Sequence, residues 1–134
     1  MRYLIHLAFL IVTTNLFGQE LIDSARIKGI ITVAEISAEF PGGRKEMLKF
    51  LGSKLRYPKD AKRNGIEGKV VVSFIVERDG SIHPESIKIE RSVYPSLDKE
   101  AIRVIKLMPN WKPASQKGKL VRVKEMFPIT FTLG

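Results

Sequence analysis

The stretch KVVVSFIVERDGS, residues 69–81, carries the clearest β-strand pattern in the chain. Apolar side chains alternate along residues 69–77, as they do in a strand with one buried face. That face would consist of Val70, Val72, Phe74 and Val76. The pair Asp79-Gly80 follows, which is typical of a hairpin turn, and Ile87 and Ile89 fit a returning strand. We therefore predict an antiparallel hairpin here.

Two amphipathic helices are predicted on either side of this hairpin. The first spans residues 44–55 and ends before Tyr57-Pro58, because the residue preceding a proline avoids the α region. A short turn over residues 59–63 follows it. The second helix begins near Pro95-Ser96 and ends at Pro109. The apolar faces are expected to consist of Met47, Leu48, Leu51 and Leu55 in the first helix, and of Leu97, Ala101, Val104, Ile105 and Met108 in the second.

A last strand is predicted from about residue 120 to residue 133. Its apolar residues alternate inward, with Glu125 as the one break in the pattern. Pro128 lies inside this run and has no N–H to donate, so it indicates an edge strand or a bulge. The order of elements predicts the α+β class, with an antiparallel sheet of three or four strands and two helices packed on one face.

The N-terminal residues 1–19 have the pattern of a secretory signal peptide. Arg2 is followed by a mostly apolar run and then by Gly18-Gln19, the order that export signals show. The alternative is an uncleaved membrane anchor, since the run is only slightly shorter than a spanning helix. We divide the remainder into a lead-in at residues 20–37, where a short strand is expected, and one domain at residues 38–134.

The composition restricts the partners of such a domain. The 134 residues include 23 Lys and Arg, 14 Asp and Glu and no Cys, for a net charge of +9. Removing residues 1–19 takes away only Arg2, which leaves 22 basic and 14 acidic residues and a net charge of +8. An exported basic protein is not expected to meet nucleic acid, so peripheral contact with envelope polyanions is the alternative. The densest basic cluster consists of Lys112, Lys117, Lys119, Arg122 and Lys124. It is either a surface that keeps the protein soluble or an electropositive rim that attracts an acidic peptide.

The residues that could carry catalysis are few. Without Cys, thiol nucleophiles and zinc–thiolate sites are excluded. Outside residues 1–19 the only histidine is His83, in a turn beside Pro84, and no serine stands in a nucleophile-elbow motif. Asp98 and Glu100 read as a solvated helix face rather than an acid/base pair. We therefore expect no enzyme, no catalytic residue, no metal and no cofactor.

A series of short motifs from about residue 38 onward resembles the C-terminal domain of TonB, in the form common among Bacteroidetes-type energy transducers. The motifs are EFPGG at 39–43, YP at 57–58, GIEGKVVVSF at 65–74, DGSI at 79–82, LDKEA at 97–101, MPNWKP at 108–113 and PITF at 128–131. The matched family positions, structural or binding in role, are Tyr57, Pro58, Gly68, Asp79, Gly80, Pro109 and Trp111. For Tyr57, Pro58 and Trp111 we favour packing.

The resemblance implies a β-α-β-β-α-β order with the final strand at an edge. It also implies a periplasmic binding module that captures the TonB box of an outer-membrane TonB-dependent transporter by β-strand addition, a mode that uses the free backbone groups of a sheet edge. The family role is energy-dependent transport. The expected partner-binding residues are Val121, Arg122, Val123, Lys124, Met126, Pro128 and Thr130.

One departure from the family pattern supports an alternative. About 20 residues lie between the signal and Phe40, and none of them is proline, whereas a transducer of this type has a long Pro-rich spacer. At most about 70 Å can be spanned by a segment of that length. The alternative is a stand-alone envelope module that pairs with itself as a homodimer or binds peptidoglycan or another periplasmic protein, without force transduction. An uncleaved signal would anchor the domain in the inner membrane.

Overall fold

The computed structural model describes residues 29–134. The predicted signal peptide and the first part of the lead-in, residues 1–28, lie outside the described residues. Residues 29–134 form five strands: β1 (Ile30–Ile31), β2 (Gly68–Val76), β3 (Lys88–Arg91), β4 (Ala114–Gln116) and β5 (Lys119–Phe131). The α-helices of this described part are α1 (Gly43–Lys54), α2 (Lys59–Arg63) and α3 (Pro95–Lys106). This is the predicted α+β class, with β4 as an added strand.

The sheet is built around the two longest strands. Its order is β1, β5, β2, β3, and β4 pairs with the beginning of β5. β2 pairs antiparallel with β5 from Gly68 opposite Phe131 to Val76 opposite Val123. β3 pairs antiparallel with the other side of β2, and β1 joins β5 in the parallel direction.

The alternation read from residues 69–77 sets which face of the sheet is buried. Val70, Val72, Phe74 and Val76 of β2 are fully buried, as predicted. The side chains opposite them on β5, which include Phe127 and Ile129, are buried as well. α3 covers this face with a set of buried residues that comprises Leu97, Ala101, Val104 and Ile105. The helices thus pack on one face of the sheet, and the core lies between the two layers.

The returning strand begins later than a tight hairpin requires. The Asp79-Gly80 turn forms, with the Gly80 N–H donating to the Glu77 carbonyl at 2.9 Å. Pro84–Ser86 then form one turn of 3-10 helix before β3 starts at Lys88. A proline at the first position of that turn suits it, because its N–H would have no partner there.

Helix α1 differs from α3 in how it packs. None of its side chains is fully buried. Met47, Phe50 and Leu51 are half-buried against the core, while Leu48 is 55% exposed. The predicted apolar face is therefore present, but it lies at the margin of the core, above the β5 side of the sheet.

Among residues 29–134, no helix has the length and apolarity that a bilayer crossing needs.

Candidate functional site: an open strand edge and its groove

The side of β5 that faces away from β2 is only partly covered. β4 pairs with residues 119–121, and β1 pairs with Arg122 and Val123. From Lys124 to Thr130, no strand among the described residues pairs with this side. We call residues 124–130 the open edge. Of the predicted partner-binding residues, Val121, Arg122 and Val123 already have partners within the chain, so the structure narrows the available edge to the second half of β5.

Proline chemistry determines which backbone groups point outward. Pro128 lies opposite Val71 in the β2–β5 ladder. Since proline has no N–H, this pair must be one of the non-hydrogen-bonded pairs, which alternate with bonded ones in an antiparallel ladder. Residues 124, 126, 128 and 130 therefore direct their backbone groups away from β2. The open edge offers the N–H and C=O of Met126 and Thr130 and the C=O alone of Pro128.

The exposed side chains of the open edge lie on the face away from the helices. Lys124, Met126, Pro128 and Thr130 are all exposed. Lys124 forms an ion pair with Glu90 at 3.5 Å. The hydrogen bond that Ser73 donates to Glu90 holds the pKa of that carboxyl below its ordinary value, and Lys124 acts in the same direction. One of the cations expected to attract an acidic peptide is thus already paired.

A groove runs along the inner side of the open edge. Its volume is about 750 Å³, and α1 forms its opposite wall. Met47, Leu48 and Leu51 line the α1 side, and Glu125, Phe127 and Ile129 line the β5 side. We call this space the edge groove. Sequence analysis did not identify it, although two signals were available: the break in alternation at Glu125 and the surplus apolar residue Leu48 on α1.

Glu125 is the acidic group of β5 inside the edge groove. Among residues 29–134 it forms no hydrogen bond and no ion pair. Burial raises the pKa of Glu125 above its ordinary value, because the surroundings disfavour the charged form. Glu39 and Arg44 line the same groove from the lead-in and from α1.

The two aromatic residues of the family motifs, Tyr57 and Trp111, pack in or against the core. Trp111 is 6% exposed and contacts Phe74 and Phe127 edge-on, with ring centroids 5.5 and 6.2 Å apart. The Tyr57 ring stacks edge-on against Phe131 at 5.7 Å, and its hydroxyl donates to the Ile66 carbonyl.

The other motif residues delimit elements. Pro58 precedes α2, Gly68 begins β2 and Pro109 follows the end of α3. Asp79 accepts hydrogen bonds from the N–H and the hydroxyl of Ser81 at 2.9 and 2.6 Å. The hydroxyl bond in particular lowers the pKa of Asp79. Of the seven predicted site residues outside β5, Trp111 alone also lines the edge groove.

Fewer cations of the basic cluster are available to an acidic peptide than the sequence indicates. Arg122 forms a bidentate ion pair with Glu77, with Nε 2.8 Å from one carboxylate oxygen. His83 approaches the same carboxylate at 4.0 Å. Lys112, Lys117 and Lys119 are exposed. In the described part of the chain, no group of three His, Asp or Glu side chains is placed to hold a metal ion.

Comparisons with known proteins indicate the same family as the sequence motifs. Residues 53–133 match the model of the family described as the Gram-negative bacterial TonB protein C-terminal. The chain is 33% identical over 105 residues to protein TonB from each of two strains of Helicobacter pylori. It spans 35% of the length of these curated relatives, and the match covers 75% of this chain.

A solved structure agrees with the fold. The NMR solution structure of the Helicobacter pylori TonB C-terminal domain is 32% identical in sequence and superimposes with a TM-score of 0.50. The superposition covers 67% of this chain and 79% of that domain.

Proposed function

This chain belongs to the family of TonB C-terminal domains, and from that premise we propose that it binds an extended segment of an outer-membrane TonB-dependent transporter by strand addition. The module acts in the periplasm, and its role is in transport rather than catalysis. The observation that supports this most directly is the open edge, where residues 124–130 present unpaired backbone groups beside an apolar groove. Strand addition uses those groups for affinity and adjacent pockets for specificity.

The other exposed edge of the sheet is a weaker candidate. β3 spans only Lys88–Arg91, and Lys88, Glu90 and Arg91 are exposed. Short, charged edges are those that resist pairing with other chains. The β5 edge is longer and is bordered by the groove. We therefore place the transporter segment on β5.

The same edge suits self-pairing less well. Each copy of the chain contributes one Pro128 without an N–H, so an edge-to-edge homodimer would leave carbonyls unpaired on both copies. A transporter segment that has its own N–H donors would lack a donor only at Pro128 of this chain. Sedimentation at increasing concentration tests the alternative, since a dimer that disappears in Met126→Pro would support self-pairing.

Peptide titration followed by NMR tests the proposal. A synthetic peptide that carries a TonB box is added to isotope-labelled protein, and amide shifts are expected at residues 124–130 and along the edge groove. Met126→Pro removes one outward N–H without removing a β2 ladder bond and is expected to weaken binding at least tenfold, whereas Met126→Ala retains it. Unshifted open-edge amides at millimolar peptide would overturn the proposal.

A further inference from the structure

The pleat of β5 determines where the side chains of a captured segment go. On one face of a sheet, directly opposite residues have Cβ atoms about 4.5–5.5 Å apart. Glu125, Phe127 and Ile129 point into the edge groove. A segment added to the open edge therefore places every second side chain in the groove, each beside one of these three residues. Its intervening side chains lie beside Lys124, Met126, Pro128 and Thr130 on the solvent face.

Two of the three inward positions, Phe127 and Ile129, are apolar and face apolar residues of α1. Phe127 and Ile129 supply the floor, and Met47, Leu48 and Leu51 supply the α1 wall. Leu48, at 55% exposed, is among the most exposed large apolar residues of the described chain. An apolar side chain of the segment would cover this surface, and burying apolar area is favourable at roughly 25 cal/mol per Å².

The third inward position is different because it faces Glu125. This carboxylate has no partner in the described part of the chain, and burial alone raises its pKa. Adding a strand removes more water from it. An apolar neighbour would then leave a buried charge without compensation, which is costly, whereas a cationic neighbour would satisfy it. The two cations of β5 that lie nearest to Glu125 in the chain already have acidic partners, since Arg122 pairs with Glu77 and Lys124 with Glu90.

Resting on the proposed strand capture, we infer that Glu125 selects the captured segment: the side chain beside it is Lys or Arg, and the next inward side chains are apolar. The partner is thus an extended segment with a basic residue followed or preceded, at every second position, by apolar residues. The groove reads this pattern, while the open edge reads only the backbone.

A double-mutant cycle with designed peptides tests the inference. The host peptide is acetyl-Thr-Val-Thr-Val-Thr-X-Thr amide, with X either lysine or norleucine, which differ in charge but little in length. Affinity for the protein is measured by NMR titration. We expect the lysine peptide to bind about tenfold more tightly than the norleucine peptide, and the preference to disappear or reverse in Glu125→Gln.

A matched control isolates the position of the charge. Glu39 also lines the edge groove, but not from β5, so Glu39→Gln is expected to retain the lysine preference. The Glu125 side chain forms no hydrogen bond among residues 29–134, so Glu125→Gln is expected to fold, which its amide spectrum verifies.

The outcomes separate the two claims. Binding of both peptides at the open edge with equal affinity would overturn the role of Glu125 and leave strand capture intact. A lysine preference that persists in Glu125→Gln would do the same. If neither host peptide and no TonB-box peptide shifts the open-edge amides, both strand capture and the role of Glu125 are overturned.

Discussion

Gly80 shows how one residue serves two structural needs. Its φ of +88° is in the left-handed region that favours glycine. A Cβ at this position would also lie 1.9 Å from the Trp111 carbonyl oxygen. The Trp111 N–H donates to the Gly80 carbonyl at 2.8 Å, so the turn after β2 and the loop that carries the central tryptophan are held in direct contact. Sequence alone predicted the turn but not this contact.

We predict that Gly80→Ala destabilises the protein much more than Gly118→Ala. Gly118 has a similar φ of +75°, but a Cβ there meets no atom within 4 Å. The control therefore reports backbone strain, which costs on the order of 1 kcal/mol. Gly80→Ala adds a backbone clash, and we expect a further loss of about 2 kcal/mol or more in the free energy of unfolding. Urea denaturation measures both, and equal losses would contradict the close approach of Gly80 to the Trp111 backbone.

The segment that links α1 to α2 is attached to α3 through Glu100. This carboxylate accepts hydrogen bonds from the Arg56 N–H at 2.6 Å and from Arg103 Nε at 2.6 Å. Arg103 also donates to the Lys54 carbonyl at the end of α1. Burial acts to raise the pKa of Glu100, but the hydrogen bonds from Arg103 and Arg56 outweigh it and hold the pKa below its ordinary value. Sequence analysis assigned Glu100 to a solvated helix face; the structure shows it buried, so that interpretation was wrong.

We predict a pH-dependent loss of stability in Glu100→Gln. A carboxyl with a lowered folded-state pKa adds stability above its unfolded-state pKa of about 4.3, and that stability is lost as the pH falls through the folded-state value. The variant should therefore be less stable than the unsubstituted chain by about 2 kcal/mol at pH 7, and the difference should shrink in acid. The measurement is urea denaturation at a series of pH values.

Glu46→Gln provides the control for this prediction. Glu46 pairs with Lys49 on the exposed surface of α1, with 3.4 Å between the charged atoms. Exposed pairs contribute little to stability, so this variant should match the unsubstituted chain throughout. A Glu100→Gln difference that stays constant with pH would contradict the assigned ion pair.

Two strands show what pattern-based prediction misses. β4 consists of Ala-Ser-Gln, which has no strand periodicity and no β-branched residue. It forms because Lys117, at φ +49°, and Gly118 turn the chain back onto β5. A short strand was expected within the lead-in at residues 20–37, and Ile30–Ile31 alone of its described residues pair as a strand. Ile36 bridges to Ser115 instead.

For the molecule as a whole, the described part of the lead-in contributes to the sheet but supplies no fully buried residue. No residue from 29 to 37 is buried, although Ile36 exchanges two hydrogen bonds with Ser115 at 3.1 and 2.9 Å. Burial begins at Phe40, which packs against Phe50 and Trp111 with centroids 5.5 and 6.0 Å apart. The predicted domain boundary at residue 38 thus falls just before the first core residue.

We predict that a fragment of residues 38–134 folds cooperatively. Compared with residues 29–134 it loses exposed hydrogen bonds and the β1 pairing, so its free energy of unfolding should fall by about 1 kcal/mol. A fragment that starts at residue 41 also loses Phe40 and should fall by about 3 kcal/mol or more. Denaturation midpoints compare the three, and loss of cooperative unfolding in 38–134 would place the boundary further upstream.

The sheet, the helices and the family were accessible from the order of residues because they rest on local chemistry. Alternation in residues 69–77 identifies a strand with one buried face, and prolines mark where α1 and α3 stop or start. Pro128 indicated an edge strand or a bulge, since a residue without an N–H cannot donate to a ladder. The short motifs identified the family. Each of these signals is read over a few neighbouring residues.

The extent of the open edge, the edge groove and the isolation of Glu125 were decided only by tertiary structure. β1 lies about 90 residues before Arg122 and Val123 in the chain, so its pairing with them depends on the path of the whole fold. The groove exists because α1 lies at the margin of the core, and no local pattern specifies that distance from β5. The sequence shows that Glu125 is acidic. Only the tertiary structure shows which residues surround it and that its carboxylate has no ion-pair partner among residues 29–134.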